Sequence, residues 1–315
     1  MIQRAMSVFN RKFLISLTIL LMISGCAVKK NNWEMNYSLE HARFAHAAVS
    51  DGKSIYVLGG ANESGFLGNI EVIDPASSKT KVLENKIIPR RYISAVWDGA
   101  DSIYIIGGVS LINNRLKFER RVEVFNINTG EVSYVRAMPF PARSNAAVYL
   151  NGRIYVMGGT LPRKNRAKVS SRLYIYDIKQ DKWTPGADMP MAKETRAVVY
   201  KNAIYAVGGY NYKSSLNVFE KYNPRKDKWM PLPKLPFNVS AHSVIVKNDE
   251  LYVFGDYKHM NLAHKFDFDL NQWQVINGFN ASRHNAAAML NDAIYVIGGN
   301  LGPKGPFLKD IQIFR

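Results

Sequence analysis

Apolar and polar positions alternate along this chain in short runs, and the runs recur. Ile55-Tyr-Val-Leu is followed by Gly59 and Gly60, and the same string returns at 103–108, 154–159, 204–209 and 294–299. A sixth copy, Leu251-Tyr-Val-Phe-Gly-Asp256, has lost its second glycine. A run of four apolar residues stopped by glycine is too short for a helix and suits a buried strand. Before each run lies a strand of small residues, such as Asn145-Ala-Ala-Val-Tyr149, joined to it by a turn such as Asn151-Gly152. Asn-Gly between two such runs is a strong hairpin signal. After the glycines come a loop, a third strand such as Leu173-Tyr-Ile-Tyr-Asp177, and a fourth marked by Trp183, Trp229 or Trp273.

The first glycines stand at 59, 107, 158, 208, 255 and 298, a period of 43 to 51 residues. Six units of this length and content resemble the kelch repeat, whose blade is about 50 residues of four strands. The resemblance covers nearly the whole chain after residue 32. It implies an all-β fold, a six-bladed β-propeller over 33–315. The last unit ends on a third strand, Ile311-Gln-Ile-Phe-Arg315. Asn32-Trp33-Glu-Met-Asn-Tyr37 matches Lys182-Trp183-Thr-Pro-Gly-Ala187, so residues 33–37 are expected to pair with 311–314 and complete the last blade. Deleting 31–38 should then destabilise the whole domain, because an open sheet edge is exposed to wrong pairing.

The first residues read differently. Arg4, Arg11 and Lys12 precede the apolar run Phe13–Ile23, which is shorter than the roughly 20 residues of a membrane-spanning helix. A basic start, a short apolar core and small residues at the exit describe a secretory signal over 1–25. Ile23-Ser24-Gly25-Cys26 resembles the lipobox of bacterial lipoproteins, which implies lipidation of Cys26, the sole cysteine. Residues 26–32 then form a short tether that keeps the domain within about 20 Å of a bilayer. The resemblance implies a protein of the bacterial cell envelope. Ala27 in place of aspartate points to the outer membrane. Several acyl chains on one residue anchor far more durably than a single chain.

The net charge is +17, with three positive residues inside the leader. In an envelope such a charge meets acidic glycans, lipid headgroups or acidic proteins; nucleic acid is not an expected partner there. A propeller places the glycine pairs, the loops between second and third strands, and the loops between blades on one face. Arg43, Arg91, Arg143 and Arg283 lie just before the first strand of blades 1, 2, 3 and 6, with Lys193 and Arg196 in blade 4 and Val239 in blade 5. His46, His242 and His284 lie close by, and the loops after the glycines add Arg115, Lys117, Arg120, Arg121, Arg163, Lys164, Arg166, Lys168, Arg172, Lys213, Lys258, Lys304 and Lys309. Arginine's planar fork suits carboxylate and phosphate. The expected ligands are an acidic glycan or an envelope protein, bound by a monomer at this face. Single arginines in such loops can instead brace neighbouring segments.

No reaction is dictated by any motif. Gly-x-Ser-x-Gly and phosphate-loop signatures are missing from the sequence. The copper–radical cofactor of galactose-oxidase-like propellers needs a cysteine that is here expected to carry lipid, so no cofactor is expected. His259 and His264 lack a third partner for a metal. Resemblance to periplasmic sialic acid mutarotases, six-bladed kelch proteins, implies a second possibility, with Glu194 beside Arg196 as the candidate acid or base. A binding module is the preferred expectation over that enzyme, since fold alone does not fix function.

Overall fold

The computed structural model describes residues 32–75, 79–163 and 168–315. The leader, Cys26 and the tether to Asn31 lie outside the described residues, as do Lys164 and Arg166 of the basic loop in the third blade.

The described residues carry strands and no helices. Six four-stranded antiparallel sheets form the blades of a β-propeller. The third blade shows the plan: Ala146–Leu150, Arg153–Met157, Leu173–Asp177 and Lys182–Gly186, paired in that order. Innermost strands touch those of the blades on either side, and the first, Ala47–Ser50, contacts both Ser94–Trp97 and Ala286–Leu290. Blade 6 joins the two ends of the domain. Trp33–Ser38 pairs with Phe307–Phe314 as the outermost strand of that sheet, with Trp33 opposite Phe314.

The same chemistry holds the outer strands of blades 3, 4, 5 and 6. Trp183 lies opposite Tyr176, Trp229 opposite Tyr222 and Trp273 opposite Phe266, as Trp33 lies opposite Phe314. The four ring pairs have centroids 4.9 to 5.1 Å apart. The indole N–H groups of Trp33, Trp183 and Trp229 donate to carbonyls of the preceding blade, at Asn277, Arg136 and Ala187. Aromatic packing and one satisfied N–H per ring pin these edges. Between blades, the middle strands bury their apolar residues against each other; Ile55, Val57, Tyr295, Ile297 and Ile311 form the seam of blades 1 and 6.

The glycine pair has a definite task. Gly60 takes φ of 96°, and a side chain there would meet the Phe44 carbonyl at 2.8 Å. Its N–H crosses to the next blade and donates to the Arg90 carbonyl. Gly108, Gly159, Gly209 and Gly299 donate likewise to Ala142, Lys193, Val239 and Arg43. The residue after each pair then hydrogen-bonds to its own blade's entry segment, as Ala61 does to Phe44. These bonds fix the register of every residue entering a blade.

Candidate functional site: the channel mouth

That register splits the entry arginines into two sets. Arg43, Arg90, Ala142, Lys193, Val239 and Ser282 occupy one position; Phe44, Arg91, Arg143, Glu194, Ser240 and Arg283 occupy the next.

Residues of the first set are braces. Arg43 is fully buried, paired with Glu71, and donates also to Asn69 and the Gly59 carbonyl. Arg90 is buried against Glu123 and donates to the carbonyls of Gly107, Arg121 and Ile105. Lys193 is buried on Glu220. Each carboxylate is the second residue of its blade's third strand, and Glu71 also accepts the N–H groups of Glu40 and His41. Arg43, expected as a ligand residue, is therefore corrected to a structural one: its donors are spent inside the blade.

His46 and His242 need the same correction. They are wedged toward the preceding blade beside Ile297 and Val207, and are buried. Neither imidazole makes a hydrogen bond of good geometry among the described residues. Burial, then the charge of Arg43 or Arg196, pushes both down to about 3, so they are neutral wedges. Asn145 and Asn285 hold the equivalent place in blades 3 and 6.

The second set rings the mouth, with Arg91 and Arg143 half-buried and Arg283 buried. Arg91 has its guanidinium 5.4, 5.0 and 5.2 Å from the rings of Phe44, Phe66 and Tyr92. Arg143 lies 5.0 Å from the ring of Tyr92 and donates to the Tyr212 hydroxyl at 3.2 Å. Arg283 stacks 4.1 Å from the ring of Tyr257 and donates to its carbonyl. Cation–π contacts orient these arginines without consuming their hydrogen-bond donors. Among the described residues none of the three forms an ion pair, in contrast to Arg43, Arg90 and Lys193. His284 stands between the rings of Phe44, Tyr92 and Tyr257, bonded to the Asn300 amide oxygen at 3.0 Å. Burial lowers it to about 4, so it too is neutral.

Blade 4 breaks the pattern. In the other five blades a residue in left-handed backbone, Ala45, Tyr92, Ser144, Ala241 or His284, follows the mouth position. Backbone bonds link them around the axis: Tyr92 to Ala45, Ala45 to His284, His284 to Ala241, and Ser144 to Tyr92. Blade 4 is one residue short there, which shifts the register between Glu194 and Arg196, and the chain of bonds does not pass through it. Arg196 then opens the innermost strand where the other blades have Ala47, Ser94, Ala146, Ser243 and Ala286. Glu194 accepts from the Thr160 hydroxyl at 2.6 Å. Burial raises its carboxyl above the usual range, while Thr160, Arg143 and Arg196 work against the rise. Glu194 thus has Arg143 and Arg196 as its charged neighbours.

The basic loops divide as well. Arg121 is tied to Glu119, whereas Arg115 and Lys117 are exposed on a projecting hairpin. His259 pairs only with Asp256, and His264 stacks on Phe237 at 4.1 Å. Among the described residues no group of three or more metal-binding side chains converges. Sequence reasoning missed the aromatic partners Phe44, Tyr92, Tyr212 and Tyr257. Their signal was present as aromatic residues beside the entry arginines and just after the glycines.

Comparison with known proteins gives a consistent picture. The family model described as KLHDC2/KLHL20/DRC7 Kelch-repeats domain matches residues 19–193 and 113–299. Kelch-like protein 23 of Mus musculus is 27% identical over 197 residues, covering 62% of this chain and 33% of that protein. Kelch repeat and BTB domain-containing protein 12 of Danio rerio is 28% identical over 228 residues, 65% of this chain and 36% of its own. Spermatocyte protein spe-26 of Caenorhabditis elegans is 32% identical over 179 residues, 54% of this chain and 30% of its own. The chain spans about a third of the length of these relatives.

Proposed function

The chain belongs to the family of kelch-repeat domains, and on that premise we propose that it is a binding module that captures an acidic partner at the channel mouth. The observation that carries this is the state of Arg91, Arg143 and Arg283. They are stacked on aromatic rings, held in place, and free of ion pairs among the described residues. Such fixed cations in a shared concavity concentrate anions by several kT. A carboxylate or phosphate arriving there finds forks of donors already oriented.

The test is charge reversal. Wild-type protein is screened against acidic glycans and acidic peptides, and Arg143→Glu/Arg283→Glu is screened in parallel. Loss of binding, with a salt dependence that disappears in the variant, supports the reading; unchanged binding sinks it.

The reading extends to place. With Cys26 lipidated, the module would sit at the membrane of a bacterial envelope. The basic start, the apolar run Phe13–Ile23 and the small residues before Cys26 support this. Mass spectrometry of the protein from membranes checks it: an unmodified leader and a free Cys26 thiol refute the anchor. Catalysis on a sugar acid has one observation behind it, the raised carboxyl of Glu194 among Arg143 and Arg196. Faster exchange of sialic acid anomers in proton NMR, lost in Glu194→Gln, is the result that would replace binding with isomerisation.

A further inference from the structure

The second blade carries an arm beside the mouth. Val109–Ile112 and Arg115–Phe118 form a hairpin whose turn, Asn113-Asn114, has both residues in left-handed backbone. Two such residues match the strand twist and make the hairpin tight. Its root pairs with Arg90–Arg91, so the arm is fastened to one brace and one mouth arginine.

The register sorts its side chains. Val109 lies opposite Phe118, and Leu111 opposite Leu116; these four share one face. Ser110 opposite Lys117 and Ile112 opposite Arg115 make the other. The apolar face is buried at its root and open at its end, with Leu111 52% and Leu116 59% exposed. Every residue from 111 to 117 is exposed. Arg115–Phe118 is also the outer strand of a three-stranded sheet. Glu119, just past the arm, is buried and held by Ser110 and Arg121. At the root, Phe118 lies 5.8 Å from the guanidinium of Arg143. An aliphatic surface therefore runs into a cationic one.

Resting on the acidic-partner reading above, we propose that the partner is a protein, and that the arm reads an aliphatic side chain set close to its carboxylates. The carboxylates dock on Arg143 and Arg91. The aliphatic group covers Leu111 and Leu116, and Arg115 and Lys117 attract further acidic residues along the outer strand. The charge of the arm fits no basic partner. A bilayer would have to admit the amides of Asn113 and Asn114 before the leucines, which is costly.

The experiment selects random 12-residue peptides displayed on phage against the full chain. Three proteins are compared: wild type, Leu111→Ser/Leu116→Ser and Arg143→Glu. Both leucines are more than half exposed, so the double variant keeps its fold. Wild type should enrich peptides with carboxylates and a neighbouring aliphatic residue. The leucine variant should keep the acidic preference, lose the aliphatic one, and bind the best peptide about tenfold more weakly, as loss of a small buried apolar contact implies. Arg143→Glu should lose both preferences. Acidic peptides without an aliphatic residue, or full affinity in the leucine variant, overturn the arm's role and leave the mouth reading standing. Peptides without acidic residues, or none at all, overturn both. Wild-type binding to phosphatidylglycerol vesicles that is lost in the leucine variant overturns the protein assignment in favour of lipid.

Discussion

Arg43→Met tests the division between braces and mouth most directly. The substitution keeps an unbranched apolar stem and removes the guanidinium and its charge. Glu71 is then a buried carboxylate that retains only the N–H groups of Glu40 and His41 and the exposed edge of His41. Removing one partner of a buried ion pair costs about 3–5 kcal/mol. Lost hydrogen bonds to Asn69 and the Gly59 carbonyl push toward the upper end of that range. Urea unfolding followed by tryptophan fluorescence reads the loss as a fall in the midpoint at constant slope. The companion Arg43→Met/Glu71→Gln should recover part of it, because blade 6 shows the neutral version. There Gln312, with Ser282 in place of the arginine, accepts from Asn280 N–H and donates to its carbonyl. Arg143→Met, at the mouth, loses a cation–π contact and one hydrogen bond to Tyr212, and should cost no more than about 1–2 kcal/mol. If Arg43→Met and Arg143→Met destabilise equally, or Glu71→Gln adds to the damage of Arg43→Met, the two positions are not distinct in the way the register implies.

Three further outcomes follow from the same contacts. Trp33→Ala should cost about 2–4 kcal/mol, less than a fully buried tryptophan, because its ring packs on Phe254, Phe279 and Phe314; an unchanged urea midpoint refutes the role of the N-terminal strand. Acid should weaken the fold through His46 and His242, whose unfolded imidazoles take up protons near 6.5 but whose folded ones do so only near 3. Stability is then complete above pH 6.5 and falls as pH drops toward 3, by about 1.4 kcal/mol per pH unit for each histidine. His46→Asn/His242→Asn, which copies blades 3 and 6, should remove most of that slope between pH 6 and 4.5 and leave the share of His284, itself lowered to about 4; an undiminished slope shows other groups are responsible. Adding one alanine after Glu194, to restore the length of the other blades, should abolish the mouth's ligand preference while the domain still unfolds cooperatively in urea; retained binding shows that the short entry of blade 4 is immaterial.

The strands were legible because their signals are local. Ile-Tyr-Val-Leu-Gly-Gly and its copies mark a buried strand and the turn that ends it, and the shared setting of Trp33 and Trp183 gave the pairing of the terminal strand with the last blade. Site residues were harder, since a one-residue offset changes which side of the chain a group faces. Arg43 and Arg91 look alike until one counts to the small residue opening the innermost strand: four steps from Arg43 to Ala47, three from Arg91 to Ser94, Arg143 to Ala146 and Arg283 to Ala286. The braces carried a second signal that was overlooked. Glu71, Glu123 and Glu220 occur only in the blades that hold Arg43, Arg90 and Lys193 at the first position. What no count could supply was the stacking of Arg91, Arg143 and Arg283 on aromatic rings from other loops and blades, because those contacts join distant segments.

The offset also explains how a repeating scaffold acquires a specific site. At the brace position a charge is tolerated only with its partner, so Arg43 and Glu71 must change together, as the Ser282 and Gln312 pair of blade 6 illustrates. One residue later, no third-strand partner faces the side chain, and the six blades there carry Phe44, Arg91, Arg143, Glu194, Ser240 and Arg283. Without a fixed partner, the position can change alone and so can follow a ligand. The shortened entry of blade 4 goes further by interrupting the backbone ring and admitting Arg196 where the other blades hold only alanine or serine. A six-fold ring presents six equivalent approaches to its axis. Arginines on three blades, a carboxylate on a fourth and the arm of blade 2 remove that equivalence, because each stands on one approach and not on the others.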